Sequence, residues 1–182
     1  MAKKAVVILA DGFEEIEAVT CVDVLRRASV EVVVAGLGAK HTGSRGLIVT
    51  PDTTIDRIEP DFDAVVLPGG MPGATNLAAS EPARKLITDT AKKGGIVAAI
   101  CASPAVVLAP LGILDNKKAT CYPGMQQKFG PKTAYTETAV VTDANVITSR
   151  GPATAMEFAL AIASALADSD TVRKLRQALL CA

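Results

Sequence analysis

Residues 5–28, AVVILADGFEEIEAVTCVDVLRRA, decide the fold. Residues 5–10 form a continuous apolar run, Asp11-Gly12 is a turn dipeptide, and an amphipathic helical stretch follows over about 14–28. A strand with no polar face is buried on both sides, so layers of helix must lie above and below it. The pattern recurs along the chain. Residues 30–35 (VEVVVA), 64–67 (AVVL) and 96–100 (IVAAI) read as further buried strands, with a loop or hairpin over 36–46. Ser80 and Pro82 offer a cap and a first-turn proline for a helix to about Lys93, which Gly94-Gly95 stops. A helix is expected over 104–111, short strands near 139–141 and 145–148, a long apolar helix to about Ala167, and a last helix over 169–180. Strands alternating with helices give an α/β fold, a three-layer sandwich around a mostly parallel sheet. No repeat or linker divides the chain, so residues 1–182 are expected to form one domain.

Composition narrows the function. The 182 residues are 49% hydrophobic and 21% charged, a globular balance, and 19 basic residues offset 19 acidic ones. A nucleic-acid partner is therefore not expected, because its basic footprint is missing. No apolar run reaches membrane-spanning length and the first residues lack a secretory pattern, so a cytoplasmic location with reduced thiols is expected. Cys21, Cys101, Cys121 and Cys181 show no C-x-x-C spacing, and His41 is the only histidine. Neither a metal nor another cofactor is expected. A Cys-His dyad within the chain would need His41, in a loop segment, which makes a carboxylate the better proton carrier.

In open α/β sheets the functional crevice lies beyond the carboxyl ends of the strands. Three sets stand there: residues 11–17 (DGFEEIE), 68–70 (PGG) and 101–104 (CASP). Strand 96–100 runs directly into Cys101 and a helix-forming stretch, the arrangement of a nucleophile elbow. A helix N-terminus there would favour the thiolate and make Cys101 the most reactive of the four thiols. The plain alternative is a buried cysteine packed as a small hydrophobe. The double glycine is either a simple turn or a backbone whose Gly70 N–H joins that of Ala102 around an oxyanion. Most carboxylates in a first helical turn are solvated caps, but Glu14 and Glu17, three residues apart, share a helix face, so one of the pair can reach over the strand ends. A carboxyl beside a thiolate has its pKa raised and is able to shuttle a proton near neutrality.

The segments ADGFEEIEAV, DVLRRA, VVLPGG, AAICASPAV, ITSRGP and EFALAI together resemble the ThiJ/PfpI superfamily, specifically the branch of the parkinsonism-associated deglycase. The resemblance spans about 3–167. It implies a flavodoxin-like sandwich, a homodimer, a reactive Cys101, Glu17 as its partner acid, and oxyanion N–H groups from Gly70 and Ala102. It further implies cofactor-free conversion of 2-oxoaldehydes such as glyoxal or methylglyoxal to hydroxy acids, removal of early glycation adducts, and protection against oxidative stress. One position departs: where some relatives carry histidine near the thiol, this chain has Tyr122, which excludes a Cys-His dyad there. The rival expectation is a redox sensor or chaperone-like protein in which Cys101 is oxidised to a sulfinate held by Glu17. Cys121 is expected to be a packed strand residue near the crevice and not a disulfide partner of Cys101.

Overall fold

The computed structural model describes residues 2–59 and 61–181. Met1 and Ala182, the bounds of the expected domain, lie outside the described residues. Among the described residues the eleven strands are β1 (Lys4–Leu9), β2 (Glu31–Gly36), β3 (His41–Thr42), β4 (Ile48–Val49), β5 (Thr53–Thr54), β6 (Ala64–Leu67), β7 (Ile96–Ile100), β8 (Lys118–Ala119), β9 (Ala134–Tyr135), β10 (Val140–Asp143) and β11 (Val146–Ser149). The α-helices are α1 (Glu15–Arg27), α2 (Gly73–Ala79), α3 (Glu81–Lys92), α4 (Ala155–Leu166) and α5 (Ser169–Ala178). Seven strands make the main sheet in the order β10-β11-β7-β6-β1-β2-β5. All its pairings are parallel except the hairpin of β10 and β11. This is the expected flavodoxin-like α/β sandwich.

The apolar strands serve two cores at once. Ala5, Val7 and Leu9 pack into one cluster with α1, α4 and α5, while Val6 and Ile8 pack into the other with α2 and α3. Alternate residues of β6 and β7 divide the same way, as the two-residue period of a strand requires. The chain winds from β1 outward through β2, then returns to β6 on the other side of β1, so the order reverses between β1 and β6. Such a reversal opens a crevice beyond the strand ends. Residues 11–17 and 68–70 both fall there, with Cys101 one strand further on. Among the described residues no helix is long and apolar enough to cross a membrane.

Three local expectations needed correction. Residues 104–111 do not form an α-helix: Pro104–Leu108 is a single π-type turn, closed by the Ala109 N–H to the Pro104 carbonyl at 3.0 Å. Helix α2 was not foreseen, because it begins at Gly73 with no capping side chain. Cys121 lies two residues beyond β8, outside any strand.

Candidate active site

Strand β7 delivers Cys101 into the crevice in a left-handed conformation, φ +64°. A non-glycine residue there carries strain of about 1–3 kcal/mol and persists only when its surroundings fix it. Here they do. The Cys101 N–H donates to the Ser149 carbonyl at 2.9 Å, and the Cys101 carbonyl accepts the Tyr122 N–H at 2.8 Å. The residue is only 8% exposed.

The two glycines after β6 have separate reasons. A β-carbon on Gly69 would stand 2.5 Å from the Cys101 β-carbon and 2.8 Å from Glu17 Oε2, so a side chain is excluded by the site itself. Gly70 takes φ +85°, and a β-carbon there would collide with the Gly12 carbonyl and the Glu14 nitrogen. Ser103, fully buried, ties this turn to the elbow by donating its hydroxyl to the Pro68 carbonyl at 2.5 Å.

The three acids at the start of α1 go three ways. Glu14 is the N-cap, its Oε2 accepting the Glu17 N–H at 2.8 Å. Glu15 turns to the β3-β4 hairpin, accepting the Arg45 N–H at 2.6 Å and the Ser44 hydroxyl at 3.2 Å. Glu17 is completely buried, and its Oε2 accepts the Gly69 N–H at 2.7 Å. Its Oε1 is buried without an N–H or O–H donor, and is the open position for a carboxylic-acid proton.

Burial pushes the Glu17 carboxyl up from 4.5 to about 7, opposed by the Gly69 N–H and reinforced by the charge of Glu14. Burial and then the Glu17 charge push the Cys101 thiol up to about 12, while the N–H groups of Gly70 and Ala102 act downward. Burial accounts for the larger part of that rise and an ionised Glu17 for the next. With the proton on Glu17 instead, the repulsion vanishes and the two N–H groups still face the sulfur, so the pair titrates as a unit. Of the N–H groups that open the turn after Cys101, the one of Ala102 acts on the sulfur, and burial outweighs it. Above the pair lies a cavity of about 600 Å³, lined by Gly70, Cys101 and Ala102 with Glu14, Arg45, Met71, Tyr122 and Met125 among its other walls.

A family model described as the DJ-1/PfpI family matches residues 3–165. The chain belongs to the DJ-1/PfpI family. It is 44% identical over 186 residues to Protein dj-1beta of Drosophila melanogaster, covering 100% of this chain and 99% of that one. The crystal structure of Drosophila melanogaster DJ-1beta matches with a TM-score of 0.95 over 100% of both chains. A Caenorhabditis elegans relative named glutathione-independent glyoxalase DJR-1.2 is 36% identical over 170 residues, 90% of this chain and 89% of its own. The structure titled Toxoplasma gondii DJ-1, oxidized, is 38% identical with a TM-score of 0.95, again over 100% of both chains.

All four sequence-predicted residues of this DJ-1/PfpI chain meet at one point: Cys101 contacts Glu17 and both N–H donors. Sequence reading missed Gly69, which holds Glu17, and Ser103, which joins the two turns. For Gly69 the signal was available, since a turn needs only one left-handed glycine and a second asks for a steric reason. Of the other thiols, Cys21 is fully buried and raised by burial and by Glu17. Cys121 is fully buried and raised to about 11, also by burial.

Proposed function

We propose that the chain, acting as one domain in the cytoplasm, is a cofactor-independent glyoxalase or deglycase for 2-oxoaldehydes such as methylglyoxal and their early adducts. The observation that carries this reading is the thiol in direct contact with a carboxyl raised to about 7, beneath a cavity and beside two converging N–H groups. The name of the nematode relative supports it.

Cys101 Sγ adds to the aldehyde carbon as its proton passes to Glu17, and the resulting oxyanion faces the N–H groups of Gly70 and Ala102. Glu17 hands that proton to the oxyanion. The regenerated carboxylate takes the hydrogen from the former aldehyde carbon and delivers it to the neighbouring carbonyl carbon, while the hydroxyl proton ends on the neighbouring oxygen. The first carbon is oxidised to a thioester as the second is reduced, so no external oxidant is needed. Water then breaks the S–C bond, releasing the 2-hydroxy acid and the thiol. A carboxyl near 7 suits this alternation, being close to half-ionised at neutral pH. Purified protein in chelator and without glutathione should form lactate from methylglyoxal, and Cys101→Ala should not. Equal lactate from the variant would remove Cys101 from the reaction.

A second reading, oxidation of Cys101 to a sulfinate by two equivalents of peroxide, is favoured by the oxidised state named for the Toxoplasma relative. Peptide mapping after peroxide, alongside lactate assays, separates a sensor from an enzyme that is merely inactivated. We also propose a homodimer. Ile16 and Val19 on α1 and Leu47 and Ile48 at the hairpin are about half exposed on neighbouring elements, an apolar face suited to a second copy.

A further inference from the structure

Tyr122, Pro123, Gly124 and Met125 all line the cavity, and they form a single rigid turn. The Met125 N–H donates to the Tyr122 carbonyl at 3.1 Å, with proline second and Gly124 third at φ +85°. This is the type II pattern, in which proline presets one dihedral and glycine accepts the left-handed one. The turn is anchored to the elbow through the Tyr122 N–H bond to Cys101. One edge of the Tyr122 ring lies against Gly151, with Cδ2 and Cε2 at 3.5 and 3.8 Å from where a β-carbon would stand. The residue nevertheless remains 48% exposed. Met71, next to the Gly70 donor, is 54% exposed and lines the same cavity.

We propose that this apolar mouth is an aryl subsite: 2-oxoaldehydes with an aromatic substituent are preferred over methylglyoxal, and Tyr122 determines the preference. The inference rests on the Cys101 reading above. With the aldehyde carbon on Sγ and its oxygen toward Gly70 and Ala102, the substituent on the second carbon must occupy the rest of the cavity. About 600 Å³ falls within the range of pockets that hold drug-sized ligands. A methyl group leaves most of that space to water. A phenyl ring instead meets the Tyr122 ring and the thioethers of Met71 and Met125, contacts that reward aromatic groups specifically. Of the charged side chains of the cavity, Glu14 offers an uncharged ring no comparable gain, and Arg45 can add a cation–π contact.

Phenylglyoxal plus water gives mandelate, as methylglyoxal plus water gives lactate, so one assay compares them. Initial rates, read before phenylglyoxal modifies arginines, should give a kcat/KM about tenfold higher for phenylglyoxal, mainly through KM. Tyr122→Leu should reduce that ratio by roughly 3- to 10-fold, the worth of an aromatic contact, and Tyr122→Phe should keep it. A second readout needs no turnover. The chain has two tyrosines and no tryptophan, and of the two Tyr122 lines the cavity, so a ligand-induced change in tyrosine emission reports on it. In a Cys101→Ala background mandelate should alter that emission at concentrations where lactate does not, and calorimetric titration with mandelate should show binding weakened roughly 3- to 10-fold by adding Tyr122→Leu. Turnover of both aldehydes at a ratio untouched by Tyr122→Leu would overturn the subsite and leave the Cys101 reading standing. No turnover of either would overturn the Cys101 reading, and the mandelate titration would still decide the subsite: binding equal with and without Tyr122 refutes it.

Discussion

Replacing Glu17 with glutamine should separate what the carboxyl does for folding from what it does for chemistry. The amide matches the carboxyl in shape, so its oxygen keeps the Gly69 N–H bond that Oε2 makes at 2.7 Å. What is lost is the proton. Burial raises the Glu17 carboxyl from 4.5 to about 7. Between those values the folded chain holds a proton that the unfolded chain has released, so stability falls as pH rises through the window and is flat on either side of it. At about 1.4 kcal/mol per pH unit the loss amounts to about 3 kcal/mol. Urea unfolding of parent and variant at pH 4 and pH 8 measures it, and titrations common to both proteins cancel in the double difference. The parent should lose about 3 kcal/mol more than Glu17→Gln between the two pH values. Lactate formation by the variant should drop at least about 100-fold, as for loss of a general acid-base group. Parallel stability profiles would refute the raised carboxyl. Turnover abolished by Glu14→Gln and spared by Glu17→Gln would show that the wrong acid had been assigned the proton.

Alkylation of Cys101 by limiting iodoacetamide should rise with an apparent pKa near 7 and then plateau, because the pair loses its first proton together; peptide mass spectrometry should find Cys101 labelled ahead of Cys21, Cys121 and Cys181, and a profile rising only above pH 9 would refute the coupling. Gly69→Ala should cost roughly 1–3 kcal/mol by overpacking and abolish turnover, since its methyl group would press on both Cys101 and Glu17; denaturant unfolding and the lactate assay check it. Sedimentation over a dilution series should find a dimer that Ile16→Glu with Ile48→Glu dissociates, and a parent that stays monomeric at high concentration would contradict the proposed interface.

Strands β1, β2, β6 and β7 were legible because burial on both faces leaves short apolar runs bounded by turn residues, whereas the two-residue strands β5, β8 and β9 are too short to leave a pattern. Their order was not, since reversal between β1 and β6 is a property of the crossovers and leaves no local trace. The choice between Glu14 and Glu17 shows where reading of this kind ends. Three residues apart, they look like neighbours on one helix face, but that is also the spacing of an N-cap and its third helical residue. Glu14 caps the Glu17 N–H, as an N-cap residue should. In a capping box Glu17 would reach back to the Glu14 N–H, but the Gly69 carbonyl already occupies that donor at 3.0 Å. Glu17 turns instead to the Gly69 N–H, 52 residues away in sequence. One glycine residue thus takes the place of half a capping box, and in doing so aims a buried carboxyl at the sulfur. Spacing along α1 carries no record of that exchange, because its deciding partner is supplied by the turn after β6.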